Sequence, residues 1–251
     1  MMNLIPLIKG LLNLQKKVDK TLLPSQGLFY KNDFEISIKK ADIGDVIEYE
    51  HGYIKDDVGV VIGKLKRIVE NNTIISSGYT FNDIKSIDIV FIFLEIVKFT
   101  NGKSIKINCD GEDVIEFGSL YFNYFKIGNS IMKHYDNNER HFIINGYKYT
   151  LPTIGMENCL TKYLISKVDE PDALKYNSYN YDFTYFYDKN NISFSEIDNL
   201  IQIFNFDMEA SELKKVRNIV NSFLPIQKYS LKRGNKIIEI NSKIDLEKIW
   251  K

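Results

Sequence analysis

Cysteine and histidine are the scarcest reactive residues in this chain of 251: Cys109 and Cys159 are the two thiols, and His51, His134 and His141 the three histidines. Two isolated cysteines outside any Cys-x-x-Cys pair read as reduced, buried thiols of a cytoplasmic protein, a disulfide between the two being the alternative that nothing in the sequence supports. None of the histidines has a His-x-x-x-His partner or a cysteine at ligand spacing, so no metal and no cofactor is expected, and they read as surface or loop residues. No sign of charge dominates either, with 33 basic residues against 33 acidic ones. A surface that tracks phosphates normally shows a basic excess, so general nucleic-acid binding is disfavoured. Long apolar runs are missing too. Ile89–Leu94 is bracketed by Asp88 and Glu95 and is far too short to span a bilayer. The N-terminal stretch has no basic n-region, is interrupted by Pro6 and Lys9, and lacks a small-residue cleavage site. The expectation is a soluble protein that is not exported.

Catalytic signatures are equally lacking. There is no Gly-x-Ser-x-Gly elbow. Gly59–Lys64 resembles a phosphate loop but is one residue short, has Leu65 where a magnesium-holding hydroxyl belongs, and falls in a helical pattern. Asp56-Asp57, Asp110 with Glu112-Asp113, and Asp169-Glu170 sit in polar connectors, where solvated loops are the default. Asn71-Asn-Thr73 and Asn191-Ile-Ser193 match the glycosylation triplet and mean little without an export signal. The chain therefore reads as a binding or structural protein, not an enzyme.

What the chain does have is core material: 44% hydrophobic residues, 13% of all residues being aromatic. Leu4, Leu7, Ile8, Leu11, Leu14, Val18 and Leu22 recur at helical spacing, which predicts an amphipathic helix over residues 1–22. This stripe either anchors the protein in a partner's groove or packs on its own domain. Leu23-Pro-Ser-Gln-Gly-Leu-Phe-Tyr30 is a turn in which Pro24 fixes φ and Gly27 permits positive φ. A half-buried strand is predicted at Phe34–Lys39, a helix opening at Ala41-Asp42, and a longer helix at Tyr53–Glu70. Thr80–Asp83 reads as a cap leading into an apolar helix over Ile84–Phe99, whose β-branched residues leave a strand reading open.

Lys103–Cys109 and Val114–Phe125 alternate as strands, and Phe142–Tyr149 reads as a type I′ hairpin around Asn145-Gly146. Helices follow at Gly155–Lys167, Ser195–Phe204 and Ser211–Phe223; Gln227–Leu231 pairs with Lys236–Asn241, and Ile244–Trp250 closes as a helix. Tyr176–Asn191 interleaves Tyr and Phe with polar residues, either an exposed platform or an aromatic-rich loop packed on the domain. The fold class is α+β, amphipathic helices packed with short antiparallel strands and hairpins. A polar stretch at 129–139 separates an N-terminal domain at 23–130 from a C-terminal one at 139–251.

The order of these parts resembles the baseplate hub and tail-assembly proteins of T-even-type, contractile-tailed bacteriophages. The resemblance rests on Leu23-Pro-Ser-x-Gly27 with its aromatics Phe29 and Tyr30, the strand after it, and the acidic Ala41-Asp-Ile-Gly-Asp45. An apolar helix led by Asp83 or Asp88, then Gly102, Ile105–Asn108 and Cys109, continues it. Phe223-Leu-Pro225, Gly234–Ile240 and Trp250 match the family's closing element more loosely. Some relatives carry cysteines there, suggesting a metal knuckle; this chain has none, and no metal is carried over.

The resemblance implies a non-enzymatic hub component or assembly factor in the host cytoplasm, and in the virion if it stays in the particle. Its partners would be other baseplate or tail proteins, with no small-molecule substrate, nucleic acid or membrane. A homo-oligomer is compatible with a symmetric hub, and no heptad pattern sets its number. Leu4, Leu7, Ile8, Leu11, Leu14, Val18, Pro24, Gly27, Phe29 and Tyr30 are the candidate partner-binding residues. Two alternatives remain: a hydrolase-like enzyme using loop carboxylates with His134 or His141, and a single-strand nucleic-acid accessory protein using the Tyr176–Tyr187 aromatics.

Overall fold

The computed structural model describes residues 15–47, 58–102, 104–108, 112–116, 120–122, 132–144, 147–167, 192–202, 209–211, 214, 229–233 and 236–240. Its first sheet has three short antiparallel strands in the order β1 (Gln15–Lys17), β2 (Ile36–Lys39), β3 (Thr73–Ile75). The alternation expected at 34–39 is present in β2: Ile36 and Ile38 are wholly buried, and Lys39 is exposed. Helix α1 (Val58–Asn72) runs into β3 and packs against helix α2 (Ile89–Asn101), which lies on β2. Gly59–Lys64 lies within α1 and forms no loop around a phosphate. The acidic segment turns into helix at 43–47, where the buried Asp45 accepts Asn72 Nδ2 at 2.6 Å and Asn71 Nδ2 at 3.2 Å, fastening it to the end of α1.

The core sits between these layers. Seven of the 13 residues of α2 are buried, and they meet Leu65, Ile68 and Val69 of α1 together with Leu23, Phe34 and Ile36. The apolar segment is thus a helix, as its cap and length suggested, and not a strand. Its expected start moves. The helix begins at Ile89 instead of Ile84, after two 3₁₀ turns at Phe81–Asp83 and Ser86–Asp88. Thr80 and Asp83 do bond one another, but they close the first of these turns. Helix cannot start earlier because Ile84 and Lys85 are extended and committed to strand-like pairing. Lys85 bridges Thr153, Ser86 N–H donates to Pro152 O at 3.0 Å, and Ile154 N–H to Ile84 O at 2.9 Å.

The helix expected over 1–22 is also corrected over its described part. Gln15–Lys17 pairs with β2 as β1, and Lys20–Leu22 is a 3₁₀ turn capped by Asp19. Pairing with β2 satisfies this backbone and sends Val18 into the core, while Lys16 Nζ reaches Glu95 of α2. These gains override a helical hydrophobic period. Leu4, Leu7, Ile8, Leu11 and Leu14 lie outside the described residues.

Farther along, β4 (Ser104–Asn108) pairs with β5 (Glu112–Glu116), and β6 (Leu120–Phe122) joins a separate sheet. Glu112 and Asp113 therefore belong to a strand and not to a connector. The sheet β7 (Tyr135–Asp136), β8 (His141–Ile144), β9 (Tyr147–Tyr149) contains the expected hairpin, with Ile144 opposite Tyr147. Its Asn-Gly turn itself is outside the described residues. Helix α3 (Ile154–Ser166) is capped by the Thr153 side chain, and α4 (Phe194–Gln202) by Ser193 and Glu196 bonding each other's backbone N–H. Tyr163, Ile192, Ile197 and Ile201 form a smaller core between α3 and α4. Finally β10 (Tyr229–Arg233) pairs with β11 (Lys236–Ile240) on one side and β6 on the other.

The fold is α+β. Contacts run across the 129–139 boundary expected from composition: β10 pairs β6, Ile154 is part of the main core, and Lys66 of α1 bonds Glu157 of α3. The segments expected as helices at 211–223 and 244–250, and the aromatic stretch 176–191, are outside or almost wholly outside the described residues.

Phe93, wholly buried in α2, sets the scale of core packing. Phe93→Ala is expected to cost ~3–5 kcal/mol in urea unfolding. Ile74→Ala, at a strand position 41% exposed, should cost less than ~1 kcal/mol. Equal losses would mean that α2 is not the core element described.

Candidate functional site

The Leu23–Tyr30 segment folds as successive tight turns: Gln26 N–H donates to Leu23 O at 2.7 Å, Leu28 N–H to Ser25 O at 3.2 Å, and Tyr30 N–H to Gly27 O at 3.3 Å. Gln26 (φ 55°) and Gly27 (φ 70°) both occupy the left-handed region. At Gly27 the freedom is needed twice over, since a Cβ there would come within 3.2 Å of both Lys20 Cβ and Lys20 O. Pro24 and Ser25 are buried beneath the turn.

The turn closes on Asp88, the residue immediately before α2. Ser25 N–H donates to Asp88 Oδ1 at 2.8 Å and the Tyr30 hydroxyl to Oδ2 at 2.7 Å. The Ser25 hydroxyl bonds the same carboxylate and accepts Gly27 N–H at 3.3 Å. An aspartate in this position ordinarily caps its own helix, yet Asp88 makes no such bond. Its oxygens serve a segment 63 residues away in sequence. The Tyr30 oxygen in turn accepts Lys85 N–H at 2.8 Å. Lys85 is itself buried, with Nζ donating to Thr150 Oγ1 at 3.2 Å and lying 5.9 Å from the centre of the Phe29 ring. Three stretches, 23–30, 80–88 and 149–154, thereby converge on one polar cluster.

Aromatic rings seal the surroundings. Tyr30 stacks on Phe34 at 4.5 Å, and Phe34 meets Tyr79 edge-on at 5.1 Å. Phe29 contacts Tyr135 and Phe142 of the β7-β8 sheet, while the Tyr135 hydroxyl donates to Leu28 O. Asp88 is 0% exposed and Lys85 2%. Burial pushes the Asp88 carboxyl up to about 6 against the pull of its donors from Ser25 and Tyr30 and of the Lys85 charge. The Tyr30 phenol is pushed well above its usual range, by burial first and by the Asp88 charge second.

An acid, a phenol, an amine and hydroxyls thus lie together, but shut off from solvent; their work here is to hold segments in place. Among the candidate partner-binding residues, Val18, Pro24, Phe29 and Tyr30 face inward, and Gly27 shapes the turn. Burial against the chain's own core removes those four side chains as a docking surface. His141 is buried as well, contrary to the surface expectation, with Nδ1 against Glu139 O; it is paired with Asp136 in the β7-β8 register, and His134 sits across from Ile143. Cys159 is half-buried on α3, while Cys109 and His51 lie outside the described residues. Among the described residues no group of three or more His, Cys, Asp or Glu could hold a metal ion, and no helix is long and apolar enough to cross a membrane.

The residues that sequence reasoning missed are Lys85 and Asp88 as one buried pair. A charged pair three positions apart, directly before an apolar helix, was the available signal.

Gly27 and Gly78 separate conformation from space, because Gly78 also has positive φ (89°) but open surroundings. Gly78→Ala should cost ~1 kcal/mol from backbone strain alone. Gly27→Ala should cost ~2 kcal/mol or more, as Lys20 must also give way. Equilibrium unfolding in urea checks the ranking, and a Gly27 variant as stable as the Gly78 variant contradicts the close approach.

Comparison with protein-family models, with curated proteins and with solved structures finds no match for this chain.

Proposed function

We propose that this protein is a non-enzymatic component or assembly factor of a contractile phage-tail baseplate hub, acting through protein–protein binding. One observation supports the reading most. The Leu-Pro-Ser-x-Gly turn and the Asp-led apolar helix, the two parts that carry the family resemblance, interlock through Ser25 N–H and Asp88 Oδ1 at 2.8 Å. Their occurrence in order then has a physical reason, since each supplies hydrogen-bond partners that the other uses. The acidic segment adds a third tie, from Asp45 to Asn71 and Asn72 at the end of α1. The sealed state of the Asp88 cluster favours binding over catalysis at this place, because a substrate has no approach to groups 0–3% exposed.

Binding must then use surfaces other than the turn's inner face. The apolar stripe Leu4–Leu14 remains the proposed anchor. Burying each leucine would contribute ~1.5–3 kcal/mol before ordering costs.

Affinity capture of the tagged protein from infected cells and from purified particles, followed by mass spectrometry, checks this. Baseplate hub proteins are expected in the lysate, and their presence in particles too would mark a structural component. Deleting residues 1–14 leaves β1 intact and should abolish the capture. Absence of every tail protein from both samples overturns the proposal.

A further inference from the structure

We infer that the Asp88 cluster is a proton-operated clasp, in which uptake of one proton by a sealed carboxyl sets how firmly the 23–30 turn is held to the start of α2. This inference does not depend on the identity of the partner. It stands first on geometry. Two segments 63 residues apart in sequence are joined through one side chain that has no contact with water. Opening the turn hydrates that carboxyl, whereas closing it strips the water away. Proton occupancy and closure are therefore linked.

The charged and titratable groups acting on this centre come from each segment around it. Lys85, on Asp88's own stretch, favours the ionised form, and Tyr30 donates to it from the turn. Asp83, from the preceding 3₁₀ turn, adds negative charge near the Tyr30 phenol, and Thr150 beyond β9 holds Lys85 through an uncharged hydroxyl. Among the described residues Lys85 is a cation acting on the carboxyl, and desolvation outweighs it. Closed, Asp88 titrates at about 6; open, it returns to the ordinary carboxylate value of 3.8. The closed form therefore binds more protons between these values. The contribution to closure is fully present below about pH 4 and is lost as pH rises through about 6.

Two amides report the clasp: Ser25 N–H, donated to Asp88, and Lys85 N–H, donated to Tyr30. Hydrogen exchange of the full chain between pH 5 and 8, corrected for intrinsic rates, should show their opening equilibrium rise about tenfold. The Gly102 amide, bonded to Lys98 O at the far end of α2, serves as reference and should stay flat. In Asp88→Asn the pH dependence at Ser25 and Lys85 should vanish. Should that variant fail to fold, a carbon-detected titration of the wild-type Asp88 carboxyl decides instead. A midpoint near 6 supports the clasp. A midpoint near the ordinary value, or a flat exchange profile in the wild type, overturns it, as does an unchanged slope in a folded Asp88→Asn protein.

Discussion

A carboxylate cut off from water must find donors inside the protein, and Asp88 finds them on the Leu23–Tyr30 turn. That single requirement explains an otherwise arbitrary set of residues. Ser25 is needed for its N–H and hydroxyl, Tyr30 for a phenol that both donates to Asp88 and accepts from Lys85. Gly27 is needed so that the backbone can double back over Lys20. Remove the carboxylate, and the buried Ser25 N–H and Tyr30 O–H both lose their acceptor. The neighbouring Lys85 is tied into the same arrangement through its backbone, its ammonium and the Thr153 bridge.

The clasp also explains how sequence-distant parts share one core. Leu23, at the turn's start, enters the cluster formed by α1, α2 and β2, whereas Phe29, near its end, reaches Tyr135 and Phe142. One short turn therefore connects the α1–α2 layer to the β7-β8-β9 sheet. Ile154 joins the main core from α3, and Lys66 and Glu157 bond across α1 and α3 at 2.9 Å. Apolar burial supplies the bulk of the stability, while the polar cluster selects which segments meet. Buried charge is costly, so such a cluster is better understood as a device of specificity than as a source of net stability.

Much of this was legible in the chain itself. The period of Phe34–Lys39, the spacing of the Tyr53–Glu70 pattern and the two runs around Asn145-Gly146 all express local rules, and β2, α1 and the β8–β9 hairpin follow them. Where tertiary pairing competes with local pattern, the reading from sequence misleads. Gln15–Lys17 lies within a stretch of helical hydrophobic spacing, but an open edge of β2 recruits it as a strand. Ile84 and Lys85 look helical, but pairing with Pro152, Thr153 and Ile154 around them holds these two residues extended. The candidate site was half visible. Pro24, Gly27, Phe29 and Tyr30 stood out as a motif, yet the turn they build is fastened from inside by Asp88, which no local rule connects to them. Binding by an outward surface and locking onto an inner partner leave the same mark in a sequence.

The central claim is that Tyr30 and Asp88 act as a unit, and a double-mutant cycle tests it most directly. Urea unfolding of the wild type, Tyr30→Phe, Asp88→Asn and the double variant isolates the pairwise term. A hydrogen bond to a buried charge predicts a coupling of ~1.5–3 kcal/mol, so the double variant should be distinctly more stable than the sum of single losses implies. Additive losses, with coupling below ~0.5 kcal/mol, would contradict the account and reduce the turn to an ordinary surface feature of the core.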